Sequence, residues 1–194
     1  MIISYNFYYA RPGHAGAVLQ QRILASDLRA RLGLPRGRII SKIEGGDDWP
    51  DVIWRLDFAG MAEQDADMKA RAASPEFEAV RQGMRRLYRR FERPLYAPLG
   101  RHARLQDGQA SPSLLLYGVY CDAAAGAAVR AALNVVPAVE FSSGATDVPR
   151  FLCETGAAGL PQELLQNLGG PAARIERSVW RVADQGEELP PADQ

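Results

Sequence analysis

The stretch AASPEFEAVRQGMRRLYRRF, residues 72–91, decides how the chain is read. Ser74 offers an N-cap oxygen, Pro75 suits the first helical turn, and Glu76 puts a negative charge at the positive helix end. Phe77, Val80, Met84, Leu87, Tyr88 and Phe91 follow at spacings of three and four. That period predicts an amphipathic helix over 75–92, stopped by Pro94 and followed by a short edge strand over 95–99, where proline is tolerated.

Working outward, Ile2 to Tyr9 is rich in aromatic and β-branched residues and predicts a strand, broken at Arg11-Pro12-Gly13. Leu24, Leu28 and Leu32 recur at i+4 with Ile23 beside them, which predicts a helix over 15–32 closed by Gly33 and Pro35. Arg22 and Arg29 lie largely off that leucine stripe. Strands are predicted over 38–44 and 52–58, joined by the turn Gly45-Gly46-Asp47-Asp48-Trp49-Pro50. In the second strand Val52, Trp54, Leu56 and Phe58 form one apolar face against Ile53, Arg55 and Asp57. A short helix over 61–72 completes the first half. Residues 100–112 are polar and predict a linker. Beyond them the same order returns: strand 114–120, helix 123–133, strands 137–142 and 148–154, helix 160–168, strand 174–182. Residues 183–194, with Pro190 and Pro191, predict a disordered tail.

The element order is thus β-α-β-β-α-β twice, over 1–99 and 113–182. A right-handed β-α-β crossover leaves room for one strand between its parallel pair, and the hairpin strand fills it, as in a ferredoxin-like module. Each module carries helices on one sheet face only, so the other face must be covered, most simply by the other module's sheet. The fold class expected is α+β: two tandem ferredoxin-like βαββαβ modules packed sheet to sheet.

Composition narrows function mainly by exclusion. The 194 residues are 47% hydrophobic and 24% charged, with 23 basic and 23 acidic side chains. That balance argues against nucleic acid as a partner. No apolar run approaches the ~20 residues that span a bilayer, and the N-terminus lacks a signal-peptide pattern, so a cytoplasmic protein is expected. Cys121 and Cys153 make no metal spacing and read as buried small hydrophobes.

The segment ASPEFEAV (73–80), the hairpin IEGGDDWPDVIW (43–54) and the opening strand with Arg-Pro-Gly resemble the dimeric α+β barrel superfamily, which includes NIPSNAP-like, EthD-like and antibiotic-biosynthesis-monooxygenase-like proteins. The resemblance covers residues 1–99; for 113–182 it rests on element order. It implies a pseudo-dimeric α+β barrel made within one chain, with ligands held between a module's sheet and its helices, and it makes a homodimer an expected assembly. The haem-degrading members share a first-strand asparagine, here Asn6, but need a histidine on the long helix. Residues 75–92 contain none, so no haem and no other cofactor is expected.

Two constellations remain. Asn6, Trp54, Arg55, Asp57 and Tyr88 are candidates to line a pocket for a small, flat organic molecule, against the alternative of a closed aromatic core. His14, Asp47 and Asp48 fall at one end of the strands and form a candidate rim able to position a proton acceptor or a cation, against the alternative of a solvated loop; no metal site is assigned. Arg81, Arg85 and Arg89, with Arg86, Arg90 and Arg93 beside them, read as a solvated helix face. The function expected is binding or transforming a small organic molecule without a metal, in the pocket of the first module. The alternative is a structural or regulatory protein acting through oligomerisation.

Overall fold

A computed structural model describes residues 1–99, 113–143, 148–156, 158–168 and 173–183. The predicted linker, with His102, and all of the predicted tail except Ala183 lie outside the described residues. The first half contains β1 (Ile2–Ala10), α1 (Ala15–Arg31), β2 (Arg38–Glu44), β3 (Val52–Phe58), α2 (Met61–Ala72), α3 (Pro75–Arg85), β4 (Tyr88–Glu92) and β5 (Leu95–Leu99). The second contains β6 (Ser113–Cys121), α4 (Ala123–Leu133), β7 (Ala138–Ser143), β8 (Phe151–Thr155), α5 (Gln162–Leu168) and β9 (Ala173–Val182).

The fold is mixed α+β, built on an antiparallel eight-stranded barrel-like sheet. Around the ring the strands run β1-β3-β2-β9-β6-β8-β7-β5 and back to β1, and β4 is a ninth strand attached to β1 alone. The two halves meet edge to edge, β2 with β9 and β5 with β7. The sheets therefore do not merely stack face to face. Their edges hydrogen-bond, so β2, β5, β7 and β9 present no open edge between the halves.

Strand alternation sorts side chains into an inner and an outer layer. Ile3, Tyr5, Phe7 and Tyr9 of β1 point into the barrel with Ile40, Ile53, Tyr96, Leu116, Leu152 and Trp180. Aromatic rings fill much of this interior: Tyr5 meets Tyr96 edge-on at 5.2 Å, and Trp49 meets Trp180 at 6.2 Å. The other face of the first half, with Tyr8, Val52, Trp54, Leu56 and Phe58, packs under α1 and α3. In the second half Tyr117, Val119, Phe151 and Cys153 pack under α4 and α5.

Two local expectations are corrected. The helix over 75–92 ends at Arg85, and Tyr88–Glu92 is strand β4. Tyr88 and Phe91 are three apart, which fits a helix face, but aromatic residues suit strands equally. β5 pairs with β1 only at Ile3 and Ser4, leaving Phe7–Ala10 open on that edge, and β4 takes those groups. Second, Leu24 and Leu32 are exposed, at 43% and 37%. Leu28 of the predicted stripe is buried, and the buried face of α1 is completed by Val18, Leu19, Arg22, Ala25, Ser26 and Arg29. The predicted start of α3 is observed: the Ser74 hydroxyl accepts a hydrogen bond from the Phe77 amide at 3.2 Å.

A fragment of residues 1–99 would lose the partners of β2 and β5 and open the apolar interior to water. It is expected to self-associate and to melt without a sharp transition. Light scattering and a thermal scan check this; a monomeric fragment melting cooperatively near the full-length value would refute the interlocked ring.

Candidate functional site

Two buried polar clusters interrupt the apolar layers of the first half. One lies inside the barrel. Arg38 and Arg55 are register partners on β2 and β3, so both face the interior. The Arg55 guanidinium grips Asp57 through Nε and Nη2, at 3.0 and 3.1 Å. Its Nη1 reaches Glu154 of β8 at 2.8 Å. Arg38 donates to the second oxygen of Glu154 at 3.0 Å, and the Tyr5 hydroxyl donates to the first at 2.8 Å. Burial alone would push the Glu154 carboxyl up, but the Arg55 and Arg38 guanidiniums hold it below the ordinary carboxylate range. Burial pushes the Tyr5 hydroxyl well up, so it stays protonated and donates. This cluster balances two cations with two carboxylates and joins the halves across the interior.

The second cluster lies on the opposite face, between the sheet and the helices. Asn6 and Trp54 are register partners there. The Asn6 amide donates to the Tyr8 hydroxyl at 3.3 Å, and Arg93 donates to the Asn6 carbonyl oxygen at 3.2 Å. Arg22 of α1 reaches the Tyr8 hydroxyl at 3.5 Å and Ser26 at 3.3 Å. Above the indole of Trp54 lie two guanidiniums, Arg22 at 4.8 Å and Arg29 at 4.9 Å. The indole is held in place by its own N–H, which donates to the Arg36 carbonyl at 2.8 Å. Gly37, at φ +73°, lets that loop lie against the ring; a Cβ there would sit 2.3 Å from the indole nitrogen. Arg29 pairs with Asp67 of α2 through both nitrogens, at 3.2 and 2.5 Å, and Arg71 holds the same carboxylate at 2.8 Å. Tyr8, Tyr88 and Phe91 form a ring cluster with centroids 5.0–5.9 Å apart. Tyr88, Phe91 and Arg93 are half-buried, so the strand β4 side is where this layer meets solvent.

The structure therefore brings Asn6, Trp54 and Tyr88 to one layer. It sets Arg55 and Asp57 on the other face of the same strand, inside the barrel. Tyr88 reaches the layer from β4 rather than from a helix. His14 is exposed at the start of α1, with Nδ1 2.8 Å from the Pro12 carbonyl oxygen, and the Asp47 carbonyl accepts from Arg89 at 3.3 Å. Asp48 is exposed. Among the described residues no group of three or more His, Cys, Asp or Glu side chains could hold a metal ion. The predicted arginine stripe is divided, with Arg81 and Arg85 on α3 and Arg89 and Arg90 on β4. In the second half, Phe141 turns into the barrel while Tyr117 and Phe151 face α4 and α5. Burial raises the Cys153 thiol to about 12, which keeps it unreactive.

The sequence reading set Arg22 and Arg29 off the apolar stripe, placed Arg93 on a solvated helix face and did not name Ser26, whereas the structure brings all four to this layer. Their signal exists: Arg22, Ser26 and Arg29 recur at i, i+4 and i+7, one face of a helix, in register with Val18.

No protein-family profile matches the chain, and no curated protein matches it. Solved structures do. A candidate monooxygenase from Lactobacillus acidophilus NCFM aligns with a TM-score of 0.53 and 11% identity, covering 95% of this chain and 96% of that one. An anthrone oxidase-like protein aligns with a TM-score of 0.52 and 10% identity, covering 98% and 95%. A chlorite dismutase-type protein, TA0507, aligns at 0.49 and 12% identity, covering 95% of each chain. At these identities the likeness to the first two is one of fold, an α+β barrel, across nearly the whole chain. Among the described residues no helix is long and apolar enough to cross a membrane.

The Glu154 cluster predicts an acid-sensitive fold. Its folded pKa lies below the unfolded value of about 4.3, so its stabilisation is complete above that pH and is lost as pH falls through the folded value. Glu154→Gln is expected to cost about 3 kcal/mol at neutral pH, because it strips charge from a buried pair. It should also flatten the fall in melting temperature below about pH 4.5. Melting curves from pH 3 to pH 8, on the order of ten points, check both; curves that superimpose on the wild type would contradict this role for the pair.

Proposed function

We propose that the chain is a tandem of two ferredoxin-like βαββαβ halves forming a pseudo-dimeric α+β barrel of the dimeric α+β barrel superfamily, and that the first half binds or transforms a small, flat organic molecule without a metal. The observation that carries this reading is the polar group Asn6–Tyr8–Arg22–Ser26–Arg93 set among the aromatic rings of Trp54, Tyr88 and Phe91. A ligand layer needs apolar walls with a few convergent polar groups. The corresponding layer of the second half is built from Val119, Val129, Leu133, Phe151, Leu164 and their apolar neighbours, with the Tyr117 hydroxyl taken by the Leu160 amide. It offers no comparable polar floor among the described residues. The strand order β5-β1-β3-β2 in one half and β9-β6-β8-β7 in the other supports the tandem reading.

The neighbours described as a candidate monooxygenase and as anthrone oxidase-like support planar aromatic compounds as the first substrates to try. A fold alone transfers no chemistry, so the reading stands on the layer and not on the likeness. The alternative, a non-enzymatic protein acting through oligomerisation, is favoured by how fully Asn6 and Trp54 are covered, at 4% exposure each. It would take a homodimer as its working form, with the outer helices as the contact.

Anthrone and a panel of two- and three-ring aromatic compounds, tested by tryptophan fluorescence and thermal melting on the full chain, separate the readings. At saturating ligand a bound molecule is expected to raise the melting temperature by about 5 °C or more. Tyr88→Ala, at the solvent side of the layer, should weaken binding about tenfold while leaving the unliganded melt within about 3 °C. A panel that changes neither signal would defeat this reading in favour of the oligomeric one.

A further inference from the structure

The charges around Trp54 do not balance. Arg22, Arg29, Arg71 and Arg93 converge on this layer, and among the described residues the carboxylate bonded to any of them is Asp67, which Arg29 and Arg71 share. Among the described residues Arg22 and Arg93 have no acidic partner. Arg22 is 4% exposed, yet its acceptors are two neutral hydroxyls at 3.3 and 3.5 Å, and its Nε has no hydrogen-bond partner among the described residues. A guanidinium buried without a counter-charge loses its hydration with no ion pair to offset the loss, and folded proteins do not ordinarily leave one so. Contrast the barrel interior, where Arg38 and Arg55 are matched by Asp57 and Glu154.

The two guanidiniums flank a single polar pair. Arg22 meets the Tyr8 hydroxyl, that hydroxyl meets the Asn6 amide, and the Asn6 carbonyl oxygen meets Arg93. Burial, and then the neighbouring Arg71 and Arg22, lowers the pKa of the Arg93 guanidinium, with Tyr8 acting the other way. The walls are flat rings: Trp54 behind Arg22, the buried Tyr8 on the sheet, and Tyr88 and Phe91 toward solvent. Planar cations beside flat apolar walls suit a planar ligand that carries a delocalised negative charge.

Resting on the small-molecule reading above, we infer that the ligand of this layer is an aromatic anion, an aryl carboxylate or a phenolate, whose charged end is held by Arg22 and Arg93 and whose ring lies against Trp54 and Tyr88. Tyr8 and Asn6 orient that charged end from the sheet. The anion supplies the negative charge that the described residues leave out.

The test compares 2-naphthoate with its neutral counterpart 2-naphthalenemethanol on the full-length protein, by calorimetry and by melting. The naphthoate is expected to bind at least about tenfold tighter than the alcohol. Arg93→Gln, at a half-buried position, should remove most of that preference, weakening naphthoate binding far more than alcohol binding. Arg22→Met has a second readout that needs no ligand. If Arg22 serves an anion, replacing its uncompensated charge with an apolar side chain of similar length leaves the unliganded melting temperature equal or higher while naphthoate binding falls. A fall of several degrees with naphthoate binding intact would mark Arg22 as a structural residue and overturn the inference. Equal binding of the two compounds by the wild type would also overturn it while leaving the small-molecule reading in place. Binding of neither would remove both. Should Arg22→Met fail to fold, the Arg93→Gln comparison decides alone.

Discussion

Hydrogen bonding of β2 to β9 and of β5 to β7 closes the sheet on itself, and the rest of the molecule follows from that closure. Once the ring is shut, β1 and β3 have barrel interior on one face and helices on the other. Every residue of β3 and all of β1 after Ile2 is buried. Such a strand has no solvent face on which to put polar residues. Each polar side chain in β1 and β3 must therefore find a partner within the protein or be matched by something that enters it.

The two polar clusters answer that constraint differently. Inside the barrel, Arg55, Asp57, Arg38 and Glu154 form a closed account of charge, and both carboxylates are held by guanidinium nitrogens at about 3 Å. Because Glu154 comes from β8 and the others from β2 and β3, the cluster also selects how the halves face each other. Replacing such a network with apolar residues need not weaken a protein, so its value lies as much in specifying one arrangement as in stability. Between sheet and helices, the cluster around Tyr8 is left with surplus positive charge. Position explains the difference. The barrel interior is walled by strands, whereas the outer layer meets solvent where β4 crosses its edge, and Tyr88, Phe91 and Arg93 sit on that boundary.

β4 shows how closure reshapes local structure. The run from Leu87 to Phe91 carries an apolar period that a helix would use. An isolated α3 extended to Glu92 would satisfy its own backbone groups just as well. What it would not do is satisfy those of β1 beyond Asn6, which β5 does not reach. The strand resolves both needs and brings Tyr88 and Arg93 to the layer from a direction the helix would not have given.

By itself the sequence determined the number, order and type of nearly all the elements, because turn residues, caps and period-two alternation act within a few residues of one another. Ser74, Pro75, the Gly45–Pro50 turn and the Val52–Phe58 alternation are of this kind, and Asn6 and Trp54 share a face because alternation and hairpin order put them there. Tertiary structure alone decided three things. It chose ring closure over simple stacking, since edge pairing joins strands 39–48 positions apart, β5 with β7, and 135–142 positions apart, β2 with β9. It turned α1 so that Arg22, Ser26 and Arg29 face inward and Leu24 and Leu32 outward, because the indole of Trp54 and the carboxylate of Asp67 lie beneath that face. And it set Arg55 against Glu154, 99 positions away along the chain, a pairing that no local spacing encodes because it exists only after the two halves have met.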